Sequence, residues 1–176
     1  MKKLMYLLAL TAIVAIFATG CSNADSQSKS DSGSEKTETT DVKKELLHTQ
    51  MDFTAEFSPN YAPIAAYQTA LADEASTEDV IKTSAEAAKK AADEGAEKLA
   101  DYKLESNLPE EEKEAFTASL DSLKSYFEEV SKAIDASQTE PNFDAAKKQF
   151  DAFQSDLEGI YKDADLQVPD MASALS

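Results

Sequence analysis

This 176-residue sequence holds one thiol, Cys21, and one imidazole, His48, the side chains that most often serve as nucleophile, base or zinc ligand. A cysteine nucleophile needs a neighbouring base, and a structural zinc site needs about four ligands, so one of each supplies neither chemistry. Carboxylates are plentiful. Glu110, Glu111, Glu112 and Glu114 form one acidic run, and "KDADL" at 162–166 places two acids in alternation. A calcium loop wants more such acids around a turn glycine, and none is present here. Di-metal bundles draw a Glu-x-x-His element from each of two helices, a pair that a single histidine cannot provide. No Gly-x-Ser-x-Gly turn, phosphate-cradling loop or glycine-rich dinucleotide loop occurs. The expectation is a protein that is not an enzyme, with no catalytic residues, no cofactor and no metal site.

The position of Cys21 is more informative than its chemistry. It follows "MKKLMYLLALTAIVAIFATG", in which Lys2 and Lys3 precede an uncharged apolar run from Leu4 to Phe17 and small residues occupy 18–20. That is the layout of a secretory signal peptide, and the run is short against the roughly 20 apolar residues a membrane span requires. The tetrapeptide "ATGC" at 18–21 resembles the lipobox of bacterial lipoproteins, with Ala18 where leucine is the commoner residue. The resemblance implies that Cys21 is the lipid-attachment residue and the new N-terminus after cleavage. It also implies a protein held on the extracytoplasmic face of the cell membrane. Two acyl chains on that residue would anchor stably where one binds only marginally. Acylation would also dispose of a thiol that has no partner for an internal disulfide.

Removing residues 1–20 takes two of the seventeen basic residues and none of the thirty-four acids, leaving a formal charge of −19. Nucleic acid is excluded as a partner, since phosphate recognition needs a basic footprint. A body so acidic is repelled by anionic headgroups while a lipid holds it near them. Every basic residue is lysine, which points to an AT-rich genome and favours a Gram-positive source.

Residues 22–40, "SNADSQSKSDSGSEKTETT", hold no apolar residue larger than alanine and read as a disordered tether. Such a chain spans roughly 25 Å on average. Beyond it the pattern is helical throughout. Phe116, Leu120, Leu123, Phe127, Val130 and Ile134 step by 4, 3, 4, 3 and 4, and Phe143, Ala146, Phe150, Phe153, Leu157, Ile160 and Ala164 do the same. Ser76 and Asn142 are the expected N-caps of the second and fourth helices. The second helix carries a small-residue seam, Ala85, Ala88, Ala92 and Gly95. Those positions either receive large side chains from neighbouring helices or leave a groove for a partner. In the first helix an approximately 3.6-residue phase runs from Leu46 to Leu71 but meets Pro59 and Pro63. Each interior proline costs about 3 kcal/mol, so a helix over 42–57 should break or kink at 58–62 and resume at Pro63.

Short connections near 73–76, 105–108 and 137–141 make neighbouring helices antiparallel. The expected architecture is all-α, an up-down-up-down four-helix bundle over 41–164, with an irregular tail over 165–176. Two functions fit. The first is a protein-interaction module at the cell envelope, contacting an envelope or extracellular protein through Pro59, Tyr61 and Pro63 or through Ala88, Ala92 and Gly95. The second is a bundle that binds a small apolar ligand or cation at the proline turn, in a pocket lined by Tyr61, Tyr67 and Tyr102.

Overall fold

The computed structural model describes residues 34–176. Four long helices pack against one another: α1 (Ser34–Ala72), α2 (Glu78–Asp101), α3 (Glu110–Ala136) and α4 (Asp144–Asp163). A single turn of helix, α5 (Met171–Leu175), follows, and no strand occurs among the described residues. The expected signal peptide, Cys21 and residues 22–33 of the expected tether lie outside these residues. Residues 34–40, read from composition as part of that tether, belong to α1.

The 4-3 seams are the core. Phe116, Leu123, Phe127 and Val130 from α3 and Phe153 and Leu157 from α4 are fully buried, as are Leu46, Phe53, Phe57, Ile64 and Tyr67 from α1. Phe53 sits centrally, with ring centroids 4.8 Å from Phe57, 5.7 Å from Phe116 and 6.2 Å from Phe153. Close backbone packing joins α1 to α2, α2 to α3, and α3 to α4, whereas α1 and α4 stand further apart. Across that wider side long side chains meet: Tyr161 Oη donates to Gln50 Oε1 at 2.7 Å, and the Tyr61 and Phe150 rings lie 5.6 Å apart.

Three local expectations need correction. First, α1 does not break at 58–62; it runs through both prolines. Pro59 and Pro63 leave the carbonyls of Ala55 and Pro59 without amide donors, and side chains of α2 reinforce this turn. Lys98 Nζ donates to the Glu56 carbonyl at 2.9 Å, pairs with the Glu56 carboxylate at 2.6 Å, and lies 5.1 Å above the Phe57 ring. Buried Asn60 donates from Nδ2 to the Ala91 carbonyl at 3.2 Å. Apolar burial on both sides of the prolines, together with these polar ties, outweighs the local propensity.

Second, the tail is not irregular throughout. Met171 and Leu175 of α5 are fully buried, and the segment packs on α1. Third, the caps differ by one residue from expectation. Thr77, not Ser76, caps α2 by accepting from the Val80 amide. Helix α4 starts after Phe143, with Asn142 Oδ1 accepting from the Asp144 amide at 2.8 Å.

Candidate functional site

The six residues singled out in sequence as an interaction surface separate into two groups. Ala88 and Ala92 are fully buried and Gly95 is buried with them, so the small-residue seam is not a surface. Its occupant is Phe127: a Cβ built on Gly95 would fall 3.1 Å from three carbons of that ring. A large side chain of α3 thus fills the hollow that glycine leaves, as interdigitated cores require. At the proline turn, Pro59 is exposed, Pro63 is half-buried and Tyr61 is buried. Of these three, Pro59 and part of Pro63 face solvent, together with Ala62 between them.

Tyr61, Tyr67 and Tyr102 do not share a pocket. Tyr67 donates to the Gln138 carbonyl at 2.6 Å, and Tyr102 lies edge-on to Phe53 and Phe57. Tyr61 instead stacks on Tyr126, 5.9 Å between centroids. With Tyr126, Phe143, Phe150, Gln68, Ala146 and Lys147 it lines a cleft of about 240 Å³ on the α1–α4 side. Burial pushes the Tyr126 phenol far above its ordinary range and raises that of Tyr61 as well. Both phenols stay neutral near pH 7, so this cleft can stack and hydrogen-bond but cannot act as a base.

The acidic features are committed elsewhere. Glu110, Glu111 and Glu112 occupy the first turn of α3, where the helix dipole favours negative charge. Glu45 and His48 stand in Glu-x-x-His spacing, yet they diverge. The Glu45 carboxylate accepts from the Asn107 amide at 2.7 Å, and His48 pairs with Asp52 at 3.3 Å in solvent. Among the described residues no group of three or more His, Cys, Asp or Glu is arranged to hold a metal ion.

Sequence reasoning missed a polar cluster joining α2 to α3. Ser131 Oγ donates to Asp93 at 2.6 Å, while Lys89 reaches Asp93 at 3.0 Å and Asp135 at 3.4 Å. Burial raises the Asp93 carboxyl, but the hydrogen bonds from Ser131 and Lys89 and the charge of Lys89 outweigh it and hold the group below its ordinary value. The i,i+4 spacing of Lys89 and Asp93 was visible in sequence; the arrival of Ser131 from another helix was not.

Comparison with protein-family models, curated proteins and solved structures returns no match for this chain.

Proposed function

We propose that this chain is a lipid-anchored, extracytoplasmic bacterial lipoprotein of a Gram-positive envelope. Cys21 carries the lipid, and an acidic, antiparallel up-down-up-down helical bundle serves as a protein-interaction module. The observation that carries this reading is how the interior uses its polar groups. Among the described residues Thr49, Asn60, Ser119 and Ser131 are buried and polar, and each is bonded within the chain. No buried side-chain N or O among the described residues lacks a partner. With these groups committed to one another, the groups this reading uses are those of the exposed surface. That surface carries exposed apolar side chains, Leu47, Met51 and Val80, within an acidic field. Its charge suits a partner with a basic face, because complementary potentials steer association.

The direct experiment has two arms in intact cells. Cys21→Ala is expected to leave an unprocessed precursor that takes up no lipid label; normal processing and labelling would end the lipoprotein reading. Crosslinking of the anchored wild type is expected to capture an envelope or extracellular protein.

A second reading, a small-ligand site, is favoured by one feature, the aromatic cleft around Tyr61 and Phe150. At about 240 Å³ it falls below the ~300–1,000 Å³ of typical ligand pockets, so a single ring or small organic cation is the largest guest it suits. Titration of tyrosine fluorescence with aromatic and quaternary-ammonium compounds tests it.

A further inference from the structure

Three helices each send a ring to the cleft on the α1–α4 side: Tyr61 from α1, Tyr126 from α3 and Phe150 from α4. Tyr126 and Phe150 lie 5.1 Å apart at 63°, and Tyr61 and Phe150 lie 5.6 Å apart at 37°. Rings at such angles do not stack into one slab, so aromatic surface borders the hollow from three directions. No carboxylate is among the residues that line it, and the ammonium of Lys147 is held by Asp151 at 2.6 Å. One carboxylate stands nearby. Burial above all, and then the charge of Asp170, raise the Tyr61 phenol against its hydrogen bond with Tyr126. Gln154 of α4 fixes the backbone on both sides of Asp170. Its Nε2 donates to the Pro169 carbonyl at 2.8 Å, and its Oε1 accepts from the Met171 amide at 3.0 Å. The Ser173 amide and hydroxyl donate to Asp170 and keep it ionised.

Resting on the small-ligand reading of this cleft, we propose that its ligand is a small methylated ammonium cation, a free solute of the choline type. Tyr61, Tyr126 and Phe150 form the aromatic wall, and Asp170 supplies an outlying counter-charge. The face of an aromatic ring carries the negative part of its quadrupole and attracts a cation within about 6 Å. A metal ion or a bare ammonium needs oxygen ligands for its charge or its N–H groups, and no carboxylate lines this cleft to give them. Methyl groups remove that need and add apolar surface, which rings satisfy. A neutral ring of the same size would stack but would gain nothing from Asp170. Nor would it gain from the wider field of thirty-four acids against seventeen basic residues. The same field disfavours a phosphate beside the cation, so the ligand is the free solute and not a phosphate-linked headgroup.

Calorimetric titration of the full chain at low ionic strength, with choline and with its neutral carbon isostere dimethylbutanol, separates charge from shape. Choline is expected to saturate a site about tenfold or more tightly than the isostere. Equal affinities overturn the cation and leave a small-ligand cleft standing; failure of choline, the isostere and p-cresol alike removes that cleft as well. Phe150→Leu keeps apolar volume and deletes the ring, so choline binding should weaken about tenfold. Unchanged binding in that variant means that choline meets the acidic surface elsewhere, and overturns the site. Should the variant lose its helical circular dichroism, Asp170→Asn decides, because asparagine caps a helix as aspartate does. It should weaken choline several-fold and leave the isostere unaffected; unchanged choline affinity overturns the proposal. Glycerophosphocholine presents the same cation on a phosphate. It is expected to bind less tightly than choline, and tighter binding overturns the choice of a free solute.

Discussion

Gly95 and Gly159 are both helical glycines, and their surroundings give alanine substitutions opposite signs. In a helix interior, replacing glycine by alanine gains about 1 kcal/mol. At Gly159 no atom lies within 4 Å of the new Cβ, so Gly159→Ala should deliver most of that gain in chemical denaturation. At Gly95 the Cβ meets the fully buried Phe127 ring at 3.1 Å. Overpacking of ~1–3 kcal/mol then offsets the propensity, and Gly95→Ala should be neutral to destabilising. Gly95→Val should lose clearly more, while stabilisation by valine would mean that Phe127 does not fill this hollow. The residue at the other side of the contact carries the larger energy: Phe127→Ala should cost about 3–5 kcal/mol. Half-buried Phe150 should cost less than fully buried Phe153.

At the scale of the element, α1 holds two prolines at a cost that its neighbours offset. Pro59→Ala restores an amide donor for the Ala55 carbonyl and removes a steric clash. As Pro59 is exposed, no core packing is lost, and stability should rise by about 1–3 kcal/mol. Lys98→Ala removes an exposed ion pair and a cation–π contact, each worth about 0.5–1 kcal/mol, plus the bond to the Glu56 carbonyl. It should destabilise the wild type by about 1 kcal/mol or slightly more. Less loss in the Pro59→Ala background would show, by a double-mutant cycle, that Lys98 acts on the proline turn. The link between α2 and α3 depends on pH. The folded Asp93 carboxyl lies below its ordinary value of 3.8, so its contribution is present above that pH and fades as pH falls through the lower folded value. Acid unfolding of Asp93→Asn should be shallower than that of wild type below about pH 4, with stability at pH 7 reduced.

For the whole molecule, charge governs behaviour in salt. A formal charge of −17 for the full sequence, and −19 after removal of residues 1–20, sets acids against one another over the surface. Among the described residues most ion pairs are exposed lysine–acid contacts at i,i+4, such as Lys82–Glu78 and Lys147–Asp151, which are individually weak. Screening therefore relieves more repulsion than it removes attraction. The melting temperature should rise by several degrees between low salt and about 0.5 M sodium chloride, where the Debye length falls to a few ångströms. A fall would mean that the lysine pairs, and not the excess acids, dominate. The same repulsion makes a basic partner the natural one and raises the salt sensitivity of any such complex.

What the sequence determined alone were the features set by local periodicity and composition. The 4-3 seams of α3 and α4 named their core residues because a helix face is fixed by spacing alone. The acidic first turn of α3 was legible for the same reason. Tertiary structure decided everything that depends on which surface lies opposite. The stripe Ala88, Ala92 and Gly95 reads as a socket for large side chains, with a groove as the alternative, and its burial, with Phe127 against Gly95, decides for the socket. Pro59 and Pro63 read as a break or a kink, and burial on both flanks with the reach of Lys98 and Asn60 keeps the helix continuous through them. The tail reads as irregular because Met171 and Leu175 are only two apolar residues in a short polar stretch, too few to form a helix unaided. They become core only where α1 and α4 leave room and Gln154 supplies the backbone partners. Propensity is a sum over neighbours in the chain, whereas packing is a sum over neighbours in space, and for this tail the second decided the outcome.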